Sequence, residues 1–157
     1  MTATTALRPA QSTDALWVMG GRMTVKVSSE DSDGSMSVVQ MEVPAGWAGP
    51  PHAHIGAEYM YVLDGEAWFN VGDQLITGGP GTSVVIPADV DESWGATTDA
   101  RLLIVAPAGL DRVFMAFGQP ATGPGFPPPE DEPPSPAQMA EMGRVAAANG
   151  LFLRFPS

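Results

Sequence analysis

The two histidines of the chain, His52 and His54, stand two residues apart in the stretch Gly49-Pro-Pro-His52-Ala-His54-Ile-Gly-Ala-Glu58. On an extended segment, side chains two apart project from the same face, so both imidazoles can address one point. Glu58 has the same parity, with Gly56 between them as a place where the path can bend. Two imidazoles and a carboxylate on one face are a minimal set for a divalent first-row metal, with positions left for water or substrate. The chain has no cysteine, so disulfides, thiolate metal sites and thiol nucleophiles are excluded and any metal takes N and O ligands. With both histidines on one strand, and neither Ser83 nor Ser93 set beside a base, a hydrolytic triad is not expected. There is no phosphate-binding glycine loop.

Short strands must position this cluster. Eighteen Gly and sixteen Pro in 157 residues punctuate the sequence every few positions, which suits strands and tight turns rather than long helices. Residues 22–27 and 35–43 alternate in character around an acidic turn, the pattern of a β-hairpin. Segments 58–63, 66–71, 74–77, 83–86 and 101–105 follow, separated by turns such as Asp64-Gly65 and Gly72-Asp73. Evenly spaced strands bounded by Gly or Pro predict an all-β sandwich or barrel. Beyond Pro107 the period changes: Leu110, Val113, Phe114 and Phe117 predict a short helix ended by Gly118. Residues 120–136 read as a Pro-rich connector without core residues. Ser135-Pro136-Ala137-Gln138 then offers an N-cap, a Pro at the first helical position and a reciprocal Gln, predicting a last helix over about 136–148 that stops at Asn149-Gly150.

The expected organisation is a flexible arm over 1–15, one β domain over 16–110, and a C-terminal helix, connector, final helix and tail over 111–157. Seven Lys and Arg against eighteen Asp and Glu give a net charge of −11, which repels phosphate backbones and anionic membrane surfaces, so nucleic acid and membrane partners are not expected. The clusters around Glu30 and Glu130 read as solvated loops. The first twenty residues lack the apolar core of a signal peptide and no segment reaches membrane-spanning length, from which a cytoplasmic location is expected. Trp17, Trp47 and the apolar tail Leu151–Phe155 are candidates for burial between subunits, and a homodimer is expected.

Gly46, His52, His54, Glu58 and Gly65 match throughout the first motif of the cupin family, G-x5-H-x-H-x3-E-x6-G. The second motif, G-x5-P-x-G-x2-H-x3-N, resembles Gly81 to Glu92, with Gly81 and Pro87 in place. There Asp89 stands for the family's Gly, Glu92 for its third His, and no Asn follows at the expected place. The resemblance covers roughly 20–108, and the C-terminal segments are similar to tails of small single-domain cupins of the quercetin-dioxygenase-like kind. It implies a cupin-type β-barrel, or jelly roll, with short C-terminal helices. It further implies that His52, His54 and Glu58, with Glu92 by position, hold a divalent ion such as Fe, Mn, Ni or Zn inside the barrel. Two neutral imidazoles and two carboxylates would leave such an ion without net charge, a harder site that tilts away from soft-ligand copper.

The alternative is a metal-free site. Glu58 and Glu92 would then face each other in an apolar interior, where one pKa must rise, and a raised carboxylate beside His54 is an acid–base pair. Met60, Trp68 and Trp94 are candidate walls of an apolar substrate pocket, Trp94 because it follows Glu92 by two. Three functions are compatible with these residues. They are a metal-dependent dioxygenase of a small aromatic or enolisable substrate, a cyclase or isomerase of a natural-product pathway working by Glu and His acid–base chemistry, and a non-catalytic small-ligand module.

Overall fold

A computed structural model describes residues 5, 14–130 and 132–155. The arm expected over 1–15 falls mostly outside the described residues. In chain order the strands are β1 (Leu16–Val18), β2 (Gly21–Val27), β3 (Ser37–Val43), β4 (His52–His54), β5 (Glu58–Asp64), β6 (Ala67–Val71), β7 (Gln74–Gly78), β8 (Ser83–Ile86), β9 (Glu92–Ala96) and β10 (Ala100–Ala106). Helix α1 (Leu110–Phe117), strand β11 (Gln119–Pro120), helix α2 (Pro136–Ala148) and strand β12 (Leu151–Leu153) complete the chain. Both helices lie where the residue pattern predicts them. In α2 the Ser135 hydroxyl accepts from the Gln138 N–H while the Gln138 side chain accepts from the Ser135 N–H, so the capping box is formed. No helix among the described residues is long and apolar enough to cross a membrane.

The strands form two antiparallel sheets laid as a jelly roll, one in the order β11-β1-β2-β3-β10-β5-β8 and the other in the order β12-β4-β9-β6-β7. The sheets do not close into the expected barrel. The chain passes between them at tight bends, Asp64-Gly65 and Pro87–Asp91, whose left-handed residues Gly65 (φ 77°) and Asp89 (φ 59°) end one ladder before the next begins. Alternation along β3 and β5 is strict: Val39, Met41, Met60 and Val62 point between the sheets, while Tyr59 and Tyr61 face outward. Phe69, Ile86, Trp94, Leu102 and Ile104 fill the same interior.

The apolar groups expected between subunits are engaged within the chain. Trp17 Nε1 donates to the Gly125 carbonyl, Trp47 Nε1 donates to the Met19 carbonyl, and the tail contributes β12 to the smaller sheet. Ser29 and Asp111 form a buried pair. The Asp111 carboxylate accepts from the Ser29 N–H (2.9 Å) and hydroxyl, and the Ser29 hydroxyl accepts from the Gly109 N–H (2.7 Å), which anchors the start of α1.

Gly65 shows how tightly the bends are built. Its φ is 77°, and a Cβ there would lie 2.1 Å from the Asp99 carbonyl oxygen. Gly65→Ala must strain the bend and push backbone, so it is expected to cost on the order of 3 kcal/mol. In a chain of this size that lowers the melting temperature by about 6–12 °C, read by thermal denaturation.

Candidate metal centre

Three strands bring the site together. β4 supplies His52 and His54, Glu58 opens β5, and Glu92 opens β9 directly opposite His52 in the antiparallel register. Gly56 carries the chain from β4 to β5 in close approach to Pro107, where a Cβ would come within 2.8 Å of the proline ring. The turn before Glu92 is fixed by Asp89, whose N–H donates to the His54 carbonyl (2.8 Å). Asp89 itself sits at φ 59°, so it adopts the left-handed conformation that the Gly of the second motif would supply. The departure from the motif at that position leaves the backbone path intact.

The four side chains converge. His54 Nε2 lies 2.5 Å from Glu58 Oε2, His52 Nε2 lies 3.4 Å from Glu92 Oε1, and His54 Nε2 lies 3.7 Å from the same Glu92 oxygen. One donor atom from each of the four falls within 4.8 Å of all the others. The imidazole rings of His52 and His54 are nearly perpendicular, with centroids 5.0 Å apart. His54, Glu58 and Glu92 are buried, and only the His52 side chain keeps some exposure, 13%. His52 Nδ1 lies 3.0 Å from the Pro50 carbonyl; as the donor there, it leaves Nε2 with a free lone pair facing the cluster.

Among the described residues, the buried side-chain N and O atoms lacking a hydrogen-bond partner are His54 Nε2, Glu58 Oε1 and Glu92 Oε1. All three belong to this cluster. Each such atom costs about 1–3 kcal/mol if nothing satisfies it. Ligands of one ion point past each other at a common centre, and such a site leaves donor and acceptor atoms of this kind without partners of their own. The donor set thus fits a divalent cation, held by two imidazoles and two carboxylates.

Electrostatics lead the same way. Burial, and next the charge of Glu92, push the Glu58 carboxyl well above the usual carboxylate range against the opposing pull of His52. Burial and the neighbouring His52 lower His54 to about 4, against the pull of Glu92. For His52, burial works downward, but the contact and charge of Glu92, the charge of Glu58 and the Pro50 carbonyl outweigh it, and the net direction is up. A buried cluster that holds protons because its carboxylates repel each other gains most from exchanging them for a cation.

The proposed pocket walls divide. Met60 and Trp94 share the inward face with Glu58 and Glu92, yet they are only 2% and 4% exposed and are packed into the core, Trp94 against Trp47 with centroids 4.6 Å apart. Trp68 does not line this space. It pairs with Gly95 on the opposite face of β6 and β9, its indole covering the glycine so closely that a Cβ would come within 2.4 Å of the ring. The inward residue of that strand is Phe69, which pairs with Trp94. The residue pattern also leaves out β12, whose Leu151 and Leu153 lie beside His54 and His52. The alternation Leu151-Phe152-Leu153 is its only sequence signal, too short to separate a strand from loose packing.

The family model for the cupin domain matches residues 39–106, a span that runs from within β3 to the end of β10 and holds all four site residues. No curated protein matches the chain. Among solved structures, an RmlC-like cupin from Shewanella frigidimarina superposes with a TM-score of 0.60 at 21% identity, covering 71% of this chain and 99% of that one. The polyketide cyclase RemF from Streptomyces resistomycificus gives a TM-score of 0.54 at 22% identity, covering 65% of this chain and 80% of that one. An oxalate decarboxylase from Bacillus subtilis gives 0.55 at 23% identity over 62% of this chain, which spans only 28% of that larger protein. At these identities the likeness is one of fold. With the first motif complete and the jelly roll formed, the chain has a cupin fold, and the span that matches the cupin-domain model, residues 39–106, carries the whole ligand cluster.

Proposed function

We propose that the protein is a metal-dependent dioxygenase of a small aromatic or enolisable substrate, with His52, His54, Glu58 and Glu92 as the ligand set. The observation that carries this reading is the coincidence of the four-donor cluster with the buried unsatisfied polar atoms. A divalent ion held there, Fe, Mn, Ni or Zn, would supply Lewis acidity and open positions for a substrate oxygen and dioxygen. The protein's own part is to orient and to exclude water. Pro50 fixes the His52 ring, and the packed interior around Met60, Phe69 and Trp94 dries the inner side. Glu92, opposite His52 at the more open side of the cluster, serves as fourth ligand or as the base that takes the acidic proton of the substrate. Because the interior is filled, substrate reaches the site from the His52 side, which favours a small or flat molecule.

A second reading, a cyclase or isomerase, draws on the split protonation of the cluster: Glu58 raised and His54 lowered give an acid and a base side by side. Product mass separates the two. Fe-, Mn-, Ni- and Zn-loaded protein is offered flavonols, catechols and diketones under ¹⁸O₂, and the dioxygenase reading expects oxygen uptake with two labelled atoms in the product. A product of unchanged mass supports the isomerase. Binding without turnover across all four metals leaves a ligand-binding module and overturns both.

A further inference from the structure

The strand that carries the two histidines cannot hold itself in place. β4 is three residues long, and on one side it is held by a single ladder pair, His52 with Glu92, and by the bond from the Asp89 N–H to the His54 carbonyl (2.8 Å). On its other side it is paired along its whole length: Leu151 opposite His54, Phe152 opposite Ala53, Leu153 opposite His52. Bonds at both ends extend this ladder. The Ile55 N–H donates to the Gly150 carbonyl (2.9 Å) and the Arg154 N–H donates to the Pro51 carbonyl (2.8 Å). In the antiparallel alternation these bonded positions leave 54–151 and 52–153 as the non-bonded pairs, where facing side chains stand closest. Leu151 and Leu153 therefore flank the two imidazoles on the same face, and both belong to or pack on the core.

The strand is also anchored for this place. Gly150 enters it at φ 78°, against Ile55, where a Cβ would come within 2.7 Å of that side chain. Gly109 approaches Asn149 as closely, with a Cβ there 2.5 Å from the Asn149 carbonyl, so α1 and the end of α2 fix where β12 starts. At the other end, Arg154 Nε pairs with Asp91 Oδ1 at 3.1 Å, beside Glu92. β12 and the residues that anchor it, Gly109, Asn149, Gly150 and Arg154, lie beyond residue 106, where the cupin-domain match ends, while Ile55 and Asp91, which they meet, lie within it.

We infer that the C-terminal strand β12 is a positioning element of the metal centre, with Leu151 and Leu153 as the positioning residues that hold His54 and His52 in ligating orientation. The inference rests on the metal reading above and adds to it a part of the chain outside the matched domain. Phe152, in the same strand but opposite Ala53, supplies the control, because losing it weakens β12 without touching an imidazole neighbour.

The test uses full-length protein and Co(II) alone, whose visible absorption reports ligand geometry. Leu151→Ala with Leu153→Ala is expected to weaken Co(II) binding about 10–100-fold, as loss of outer support does at metal sites, and to alter the absorption bands. Phe152→Ala is expected to lower the melting temperature while keeping Co(II) affinity within about twofold, and Leu153→Met to restore affinity. Should the double variant not fold, Leu153→Ala alone carries the comparison. Leucine variants that melt early but bind Co(II) with wild-type affinity and spectrum would overturn the role of the strand. If the wild type binds no Co(II), the metal reading fails, and imidazole NMR signals decide the strand's role alone. Signals of His52 and His54 that shift or broaden in the leucine variants and not in Phe152→Ala uphold it; unchanged signals overturn it.

Discussion

Glu58→Gln is expected to abolish metal retention and, at the same time, to stabilise the metal-free protein above neutral pH. Glu58 is 1% exposed, touches His54 and feels the charge of Glu92. Its carboxylate is useful only to a cation; without one it is an ionisable group buried beside another of the same sign. Glutamine keeps the shape and removes the charge. A four-ligand site binds its ion with about 10–16 kcal/mol, so one charged ligand carries about 2.5–4 kcal/mol, or roughly 10²–10³-fold in affinity. Elemental analysis of protein equilibrated with Fe, Mn, Ni or Zn should therefore show near-stoichiometric metal in the wild type and near none in the variant. Chelator-treated Glu58→Gln should melt about 2–8 °C above chelator-treated wild type at pH 8, on the stabilisation of about 1–2 kcal/mol expected when a buried charge is neutralised. A variant that keeps its metal, or that melts below wild type in the metal-free state, would remove Glu58 from the ligand set. Glu92→His adds the ligand of the usual second motif, and retained metal binding in that variant would show that Glu92 occupies a ligand's place.

Much of this site was legible from spacing. Parity on an extended segment puts His52 and His54 on one face, and the first motif carries Glu58 with them. Glu92 is marked only by a second motif in which three of five fixed positions are changed; its partner across the sheet is His52, forty residues earlier in a different strand, and no local pattern encodes that pairing. The helices were legible because their signals are local: the periodic apolar residues of α1 and the capping box of α2 need no distant partner. The side to which Trp68 points is not legible in the sequence, because parity restarts at every turn. Gly65 resets the phase between β5 and β6, and Phe69 rather than Trp68 inherits the inward side. β12 was legible only as an apolar tail, since what makes it a strand is β4, almost a hundred residues away, and not anything in Leu151-Phe-Leu itself. Closure into a barrel failed for a related reason. Regular strand spacing predicts paired layers equally well, and only the left-handed bends decide whether the ladder continues around.

Raising the pH from about 6.5 to 8.5 is expected to destabilise the metal-free protein and to stabilise the metal-loaded one relative to it. The sign follows from the cluster. Glu58, raised on folding, contributes stability that is complete below its unfolded value of 4.5 and is lost as the pH climbs through its folded value. His52, raised from 6.5, behaves the same way at higher pH. His54 is the opposite case: lowered to about 4, it contributes stability above 6.5 that is lost as the pH falls toward 4. Between 4.5 and 6.5 the gain from His54 therefore offsets the loss from Glu58, and the melting temperature of the metal-free protein should change little. Above 6.5 His54 adds nothing further, and only the losing groups titrate. Each proton retained by the folded state is worth about 1.4 kcal/mol per pH unit at the steepest point, about 3–6 °C per unit in a chain of this size. An ion replaces those protons, so its binding should release them and tighten up to about tenfold per pH unit for each one released. Calorimetric titration of Zn(II) in two buffers of different ionisation enthalpy counts the protons, and parallel melts with and without chelator read the stability. Metal-free melts that stay flat from pH 6.5 to 8.5, with no protons released on loading, would mean that Glu58 is already ionised without a cation. The buried carboxylates would then be balanced by something other than the proton, and proton exchange would contribute nothing to cation binding at the cluster.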